Sequence, residues 1–429
     1  MSMAQRPSPS TTLGTGFSLG TNETEMDQPL ITRRALLAGT ACLCCAGAAS
    51  ARIRPSEMQP LVGPGYRPVD EDEKGLWKLY ERVEADIAGS NLLIRDPKLN
   101  SYIAGVTERV GGPAARDLRV YVAHIPEFNA FMTPTGFMVV FSGLLTRMRN
   151  EAQLAGVLGH EASHFLRKHS LRGYRDARRK TDFLSVLGMA AGVGGAAGGV
   201  YLGDAVQLAQ LGTLLSLASY SRTMEAEADA MSVGLLAQAQ YDPAETSRVW
   251  QNLIAETELS ARYRRKRPDR GYSLLASHPA PAERMADLRA SAAEASRGQG
   301  DTGHARYRAA IATHRKMLLE DQVKLNDPGA SLHIVNTLAQ DGWDGHLRYA
   351  EAEIWRHRNR PSLNDPARAA AAYAAAVQFP DAPPEAWRMH GYALIKAGQR
   401  DAGRQALQRY LQLAPTAPDA AMVRYSIGA

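Results

Sequence analysis

The sequence predicts a mainly α-helical protein of the α+β class, with a helical domain that contains a small sheet and then an all-α solenoid of helical repeats. An alternating run of β-branched and aromatic residues from Phe137 to Phe141 predicts a strand, and the sheet is expected from about Leu118 to Phe141. A His-Glu-x-x-His motif follows on a predicted helix. Beyond about residue 300 the chain is alanine-rich and repeats at a spacing typical of stacked helix pairs. With 429 residues, 45% of them hydrophobic, the chain can bury the cores of two or three domains.

The N-terminus has the features of an export signal. Residues 1–30 are rich in Ser, Thr, Gly and Pro, and the paired arginines Arg33 and Arg34 precede an apolar stretch that ends at the small-residue site Ala49-Ser50-Ala51. This pattern predicts a signal peptide of the twin-arginine type over residues 1–51, with a long n-region or a true start at Met26. We therefore expect a periplasmic protein in which residues 52–69 form a linker.

The three cysteines all lie within this predicted signal, at Cys42, Cys44 and Cys45. Cleavage near Ala51 leaves a mature chain without cysteine, which excludes a disulfide framework, thiolate metal ligands and a cysteine nucleophile. Lipidation at Cys42 and an uncleaved membrane anchor are the alternatives that the sequence leaves open.

The segment His160-Glu161-Ala162-Ser163-His164 places two imidazoles one helical turn apart, with a carboxylate beside the first. Residues i and i+4 share a helix face, so both rings can reach one metal ion while Glu161 addresses a water molecule. Such a site needs a third ligand. Candidates follow on a second predicted helix, where Glu225, Glu227 and Asp229 occur within five residues.

Two histidines and one carboxylate form a known set for catalytic zinc, which leaves one position for water. The spacing therefore predicts one Zn²⁺ per subunit and hydrolysis in which Glu161 is the general base. Periodicity alone does not choose between Glu225 and Glu227 as the third ligand, and an acidic helix face exposed to solvent is the alternative for this cluster.

The motifs together resemble the CAAX-prenyl-protease/HtpX/Oma-type zinc metallopeptidases, which have a zincin-type fold. The resemblance covers about residues 70 to 290, within a domain expected at 70–295. It rests on the runs Asn129-Ala130-Phe131, Gly136 to Leu145, Asn150 to Glu161, Ser221 to Asp229, and Ser277-His278-Pro279 followed by Arg284. It implies that His160, His164 and Glu225 bind the metal, that Glu161 is the general base, and that Asp229 orients a ligating histidine.

Three further positions carry open alternatives. The predicted strand Phe137 to Phe141 is either an edge that accepts substrate backbone or an ordinary core strand.

In BepA-like members of the family a His-Pro loop can close the metal's open position. This resemblance implies that His278 is a displaceable fourth ligand; the alternative is that it caps a helix or packs beside the site. His169 lies about 140° round a continuous helix from His164, so it is expected at the surface or in packing.

A glycine-rich apolar stretch from residue 183 to 203 predicts a helical hairpin that covers the site or enters the membrane surface, with a full membrane span as the alternative. Basic clusters at Arg167 to Lys180 and Arg262 to Arg267, in a chain of net charge +6, fit anionic headgroups, an acidic partner or simple solvent exposure. Nucleic acid is not expected as a partner, because aromatic residues do not alternate with the charge.

The C-terminal part, residues 300–429, contains a repeat. Ala369, Tyr373 and Ala376 each precede Gly403, Leu407 and Tyr410 by 34 residues. Positions at the offsets of a tetratricopeptide helix pair are Trp387, Gly391, Leu394, Gly398, Gly403, Leu407, Tyr410 and Pro415. Two or three such repeats form a concave face that binds a peptide or a partner protein, unless they only pack as a helical tail against the preceding domain.

A zinc peptidase followed by tetratricopeptide repeats resembles the BepA-like subgroup. This resemblance implies an exported endopeptidase that acts on unfolded or misassembled envelope proteins and contacts the outer-membrane assembly machinery through its repeats, with possible contact to the membrane surface. The alternative is a periplasmic chaperone or scaffold whose zinc site is structural or latched and whose repeats carry the function.

Overall fold

The structure is a computed structural model that describes residues 52–179, 220–265, 282–296, 298 and 300–428. The predicted signal peptide, the glycine-rich stretch 183–203 and His278 lie outside these residues, as does the end of the second basic cluster. Within the described residues, no helix is both long enough and apolar enough to cross a membrane.

The sheet has three strands: β1 (Arg119–Ala123), β2 (Ala130–Met132) and β3 (Phe137–Phe141). Strand β3 is central, parallel to β1 and antiparallel to β2, with Ala130 opposite Val140. All five β3 residues are buried. The predicted strand is therefore confirmed. Of the two alternatives, the core strand is correct, and the edge strand is wrong because both edges of β3 are already paired, with β1 and with β2.

The other elements are helices, which confirms the mainly α prediction. Those of the first part are α1 (Glu71–Gly89), α2 (Pro97–Val110), α3 (Ser142–Arg147), α4 (Glu151–Leu166), α5 (His169–Arg179), α6 (Arg222–Gln238), α7 (Ala244–Arg264) and α8 (Ala282–Ala295). Those of the second part are α9 (His304–Ile311), α10 (Arg315–Lys324), α11 (Pro328–Leu338), α12 (Gly345–Arg358), α13 (Asp365–Ala376), α14 (Pro384–Lys396), α15 (Arg400–Leu413) and α16 (Ala420–Ile427).

Helix α4 forms the centre of the first part. It begins where the Asn150 side chain accepts a hydrogen bond from the Gln153 backbone N–H at 2.8 Å, the usual satisfaction of a helix N-terminus. Fifteen of its sixteen residues are buried, because α2, α6, α7 and β2 surround it. Gly156 allows the close approach of α7, since a Cβ at this position would lie 3.0 Å from the Thr246 methyl group. A helix enclosed on all sides can hold polar side chains away from water.

Helix pairs make up the second part: α12 packs against α13, and α14 against α15. Helices α13 and α15 contain the positions that the 34-residue shift relates. A Cβ at Gly403 would lie 2.8 Å from the carbonyl oxygen of Gly391, so glycine at both positions lets α14 and α15 touch. The helical character of this part is confirmed, whereas its assignment to tetratricopeptide repeats stays a prediction.

Residues from 52 onward form one unit of contacts. Helix α11 packs against α7, and α10 packs against α3. The segment expected to be a linker also packs, since the Leu61 N–H donates to the carbonyl of Leu166 at the end of α4. The domain boundaries drawn from the sequence remain predictions within this unit.

Candidate metal centre

Helix α4 carries His160, Glu161 and His164, all of them buried. Because the two histidines are four residues apart on one helix, their rings face the same side, and their Nε2 atoms lie 3.1 Å apart. Glu161 lies beside them and lines a cleft in front of the pair. The arrangement expected from the motif is therefore present in the fold.

Helix α6 supplies the third group. Glu225 Oε2 lies 3.5 Å from His160 Nε2, and Glu225 Oε1 lies 3.6 Å from His164 Nε2. Potential ligand atoms of these three residues lie within 4.8 Å of one another, and no other such group of His, Cys, Asp or Glu occurs in the described part of the chain. Two imidazole nitrogens and one carboxylate oxygen are donors that suit zinc.

Glu227, the competing carboxylate, points elsewhere. Its Oε2 lies 3.1 Å from His169 Nε2, and it accepts hydrogen bonds from Arg167 at 3.0 Å and Arg172 at 2.7 Å. Burial raises its pKa, but the bonds from Arg172, His169 and Arg167 outweigh burial and lower the pKa to about 2. Glu227 is therefore a carboxylate that is already fully engaged.

The second ring nitrogen of His160, Nδ1, is its outer nitrogen, on the side away from His164 Nε2. It faces a carboxylate, since His160 Nδ1 lies 3.0 Å from Asp229 Oδ1. Arg284, on α8, holds this carboxylate from the other side with bonds of 2.7 and 2.8 Å, and its Nη1 lies 2.9 Å from Glu225 Oε2. Arg284 entered the sequence argument only as part of a motif. The structure shows that Arg284 contacts both carboxylates. This contact forms because α8 packs on α6 and α7.

The charges at this point favour a cation. Burial lowers the pKa of His160, but the hydrogen bond to Asp229 and the charge of Glu225 outweigh it and raise the pKa to about 10. Burial raises the pKa of Asp229, while the charge of Arg284 and the bond to His160 bring it below its ordinary value. A buried imidazole that prefers the charged form marks a place where positive charge is stabilised.

The outer nitrogen of His164 faces another histidine. His164 Nδ1 lies 2.8 Å from His169 Nδ1, and His169 is fully buried. The expectation that His169 lies far round a continuous helix is wrong, because α4 ends at Leu166 and Lys168 adopts a left-handed conformation with φ 53°. This turn brings the side chain of His169 back over His164. The Tyr220 ring stacks on the His164 ring, with 3.8 Å between the ring centroids.

The cleft in front of His160 and Glu161 borders the beginning of strand β2, at Ala130. It is lined by Phe128, Asn129, Ala130, Val157, Thr246, Val249, Trp250 and Leu288 among others. Asn129 and Thr133 form backbone bonds with β3, so by the alternation of an antiparallel pair the backbone groups of Ala130 and Met132 point away from it. Strand β2, and not β3, is the edge of this sheet that borders the cleft.

Comparison with known proteins fits this geometry. The family model described as Peptidase family M48 matches residues 93–292, a range that contains the sheet and all the site residues above. Residues 93–292, called the M48 region, are therefore similar to peptidase family M48 over 200 of the chain's 429 residues. This match supports the metallopeptidase class expected from the sequence, and M48 peptidases depend on a metal, typically zinc.

Named relatives of the M48 region include the beta-barrel assembly-enhancing protease of Escherichia coli K12, 30% identical over 214 residues, which are 47% of this chain and 41% of the relative. The protein of the same name from Yersinia pestis is 29% identical over 57% of this chain and 49% of its own length. The mitochondrial metalloendopeptidase OMA1 of Schizosaccharomyces pombe is 27% identical over 44% of this chain and 53% of its own length. The chain thus spans about half the length of these relatives.

Proposed function

We propose that this protein is an exported zinc metalloendopeptidase that hydrolyses peptide bonds in misfolded or misassembled envelope proteins. The observation that carries the proposal is the convergence of His160, His164 and Glu225 from two helices, with Glu161 beside them on the wall of the cleft. A structural site would have no use for the carboxylate of Glu161 at this position.

In this proposal His160 Nε2, His164 Nε2 and one carboxylate oxygen of Glu225 hold one zinc ion. Bound zinc lowers the pKa of water and polarises the scissile carbonyl. Glu161 accepts a proton from the attacking water and delivers it to the leaving amine, and its low exposure keeps bulk water from competing. Asp229 accepts the Nδ1–H of His160, which leaves Nε2 of that ring as the donor to the metal.

The edge strand β2 gives a route for the substrate. The Ala130 N–H already donates to the Asn129 side chain, and the Met132 carbonyl accepts from the Tyr220 hydroxyl. An extended peptide would therefore pair with the outward Ala130 carbonyl and Met132 N–H, which places it beside Glu161. Backbone pairing recognises any extended chain, and it therefore suits unfolded proteins better than folded ones. Folded substrates cannot offer such a segment without opening.

The sequence and the relatives together support the proposed location and substrates of this protein. The predicted twin-arginine signal over residues 1–51 supports a periplasmic protein, and the relatives from Escherichia coli and Yersinia pestis carry the name beta-barrel assembly-enhancing protease. We therefore place its substrates among outer-membrane proteins that fail to assemble. The helix pairs of 300–429, proposed as tetratricopeptide repeats, offer a surface for the assembly machinery, and the basic clusters offer contact to the membrane surface.

One set of measurements tests the activity. Purified mature protein should contain about one zinc per chain by elemental analysis, as a three-residue site requires. It should cleave casein, lose cleavage with a chelator and regain it when zinc is added. Folded protein that binds no zinc, or casein cleavage that resists chelation, would contradict the proposal.

The role of His278 is tested separately. If this residue is a displaceable fourth ligand, the variant His278→Ala should cleave casein faster than the wild type at equal zinc content. Unchanged basal cleavage of an unfolded substrate would count against the latch and leave the metal site itself untouched.

A second candidate function is a periplasmic scaffold that acts through its helix pairs. The observation in its favour is that the C-terminal helices form well-packed pairs, of the kind that present a binding surface. Clearance of a misfolded outer-membrane protein in cells separates the two: a Glu161→Gln variant should fail if proteolysis matters, whereas deletion of residues 384–428 should fail if the scaffold matters. Normal clearance by Glu161→Gln would favour the scaffold.

A further inference from the structure

The two histidines on α4 are held in different ways. The outer nitrogen of His160 faces the carboxylate of Asp229, at 3.0 Å. The outer nitrogen of His164 faces a second imidazole, that of His169, at 2.8 Å, and His169 in turn lies 3.1 Å from the carboxylate of Glu227. A second imidazole ring is therefore interposed between His164 and a carboxylate, while His160 contacts a carboxylate directly.

We propose that His169 is a positioning residue of the metal site, which accepts the Nδ1–H of His164 and donates its own Nε2–H to Glu227. The chain His164, His169, Glu227 then fixes both the orientation of the His164 ring and the tautomer in which Nε2 of that ring is free to bind metal. The inference rests on the proposed zinc site and adds a residue to it.

Hydrogen-bond chemistry allows only one direction along this chain when His164 binds metal. A neutral imidazole has one donor nitrogen and one acceptor nitrogen. If His164 Nε2 is the ligand, its Nδ1 carries the proton, so Nδ1 of His169 must accept. The remaining nitrogen of His169 then carries a proton and needs an acceptor, which Glu227 Oε2 provides. The reverse direction would turn a lone pair of His169 toward a carboxylate and leave His164 unable to bind through Nε2.

The end of the chain is anchored against rotation. Glu227 accepts from Arg167 Nε at 3.0 Å and from both terminal nitrogens of Arg172, at 2.7 and 3.1 Å. The carboxylate is therefore fixed in orientation and held in the charged form that must accept from His169. Arg167 and Arg172 flank the turn at Lys168, so the segment that carries His169 also carries its anchors.

Packing against Tyr220 also restricts rotation of the His164 ring. Tyr220 stacks on it with an angle of 14° between the rings, and its hydroxyl donates to the Met132 carbonyl at 3.3 Å. Tyr220 hence connects the ring to the edge strand β2. The ring of His164 is thereby fixed by stacking on one face and by a hydrogen bond at one nitrogen, and only the hydrogen bond decides the tautomer.

The zinc affinity of three variants tests the proposal. This affinity is measured by competition with a chromogenic chelator. His169→Phe keeps a flat ring in the buried space but offers no acceptor, and it should weaken zinc binding by about 10- to 100-fold. His169→Asn places an amide oxygen near the position of Nδ1, and it should recover most of that loss. His346→Phe, in the C-terminal helices, is the matched control and should bind zinc as the wild type does.

The visible spectrum of cobalt-substituted protein gives a second readout, because it reports ligand geometry independently of activity. Thermal unfolding of the chelator-treated variants should be alike, which separates loss of a ligand partner from loss of fold. If His169→Phe binds zinc like the wild type, or if Phe and Asn weaken it equally, the positioning role is overturned. A wild type that takes up no zinc would overturn the proposed function itself.

Should His169→Phe fail to fold, Glu227→Gln addresses the same chain from its far end. Glutamine keeps an acceptor oxygen but removes the charge that the two arginines hold, and a loss of about 10-fold in zinc affinity is expected. Unchanged affinity in this variant would overturn the proposal as well.

Discussion

The M48 region and the C-terminal helices bury polar groups in contrasting ways. In the C-terminal helices such groups pair with close neighbours in the chain: Asp365 accepts from Arg358 Nε at 2.8 Å, and Glu353 accepts from Arg356 Nε at 3.0 Å. In the M48 region one set of them comes from distant segments and meets at the candidate metal centre, as His160, Glu225 and Arg284 do. Local pairs stabilise a fold, whereas convergent buried charges are costly unless something binds them.

This difference separates the residues that serve function from the residues that stabilise the fold. Changes at the convergent cluster should remove metal or activity with little effect on the fold. Changes in the helix pairs should lower the free energy of unfolding and leave the chemistry of the site intact.

The largest expected effect comes from Glu161→Gln. Loss of a general base typically lowers the rate by about 10²- to 10⁴-fold, and glutamine is close enough in shape to keep the packing of α4. Casein cleavage per zinc-loaded chain measures the effect, with zinc content and thermal unfolding expected at wild-type values. A variant that retains more than about a tenth of the activity would show that Glu161 is not the base.

The next largest effect should separate the two glutamates of α6. Glu225→Gln removes a proposed ligand and should weaken zinc binding by more than about 100-fold, the upper limit for loss of a residue that only supports a ligand. Glu227→Gln, on the same helix, removes only a carboxylate that supports a ligand through His169 and should weaken zinc binding by about 10-fold. Zinc competition measures both, and the opposite order would make Glu227 the ligand.

A smaller effect, on stability alone, is expected from Leu407→Ala in α15. Leu407 is fully buried between α14 and α15, and the cavity left by such a change costs about 3 kcal/mol. Urea unfolding should show this loss while zinc affinity of the folded protein stays unchanged. Leu413→Ala, at a position 40% exposed, should cost less than about 0.5 kcal/mol. Weaker zinc binding in Leu407→Ala would mean that the two regions are coupled.

The smallest effect concerns Glu151, where the two regions meet. This buried carboxylate accepts from Arg109 and Tyr241 in the M48 region and from Arg306 in α9, at 2.7 to 2.9 Å. Burial raises its pKa, but the bonds from Arg306, Tyr241 and Tyr102 outweigh it and hold the pKa below the ordinary 4.5. The charged form therefore adds stability above pH 4.5, and this stability is lost as the pH falls through the lowered pKa.

We accordingly expect Glu151→Gln to cost about 2 kcal/mol at neutral pH, as loss of hydrogen bonds to a charged group does. The difference from the wild type should shrink below pH 4.5, measured by urea unfolding across pH. Glu71→Gln, in an exposed ion pair with Lys74, should cost less than about 0.5 kcal/mol at any pH. A pH-independent difference for Glu151→Gln would show that shape, not charge, matters at this point.

Much of the candidate site could be predicted because it is local in sequence. His160 and His164 share a helix face by their spacing alone, and the strand Phe137 to Phe141 is visible in its alternation. The choice of Glu225 over Glu227 needed the family spacing, and the structure places Glu225 beside both histidines and Glu227 beside His169. Two features escaped prediction: the place of His169, which depends on the turn at Lys168, and the contacts of Arg284, which depend on how α8 packs.

The sequence by itself thus determined that His160 and His164 share one helix face, that the protein is mainly α, and that the C-terminal part is helical, since these follow from spacings and repeats along the chain. Only the tertiary structure decided that β2 is the edge beside the cleft, that His169 lies against His164, and that Arg284 contacts both Asp229 and Glu225. These outcomes depend on strand order, on one left-handed residue and on packing between segments far apart in the chain, none of which local periodicity encodes.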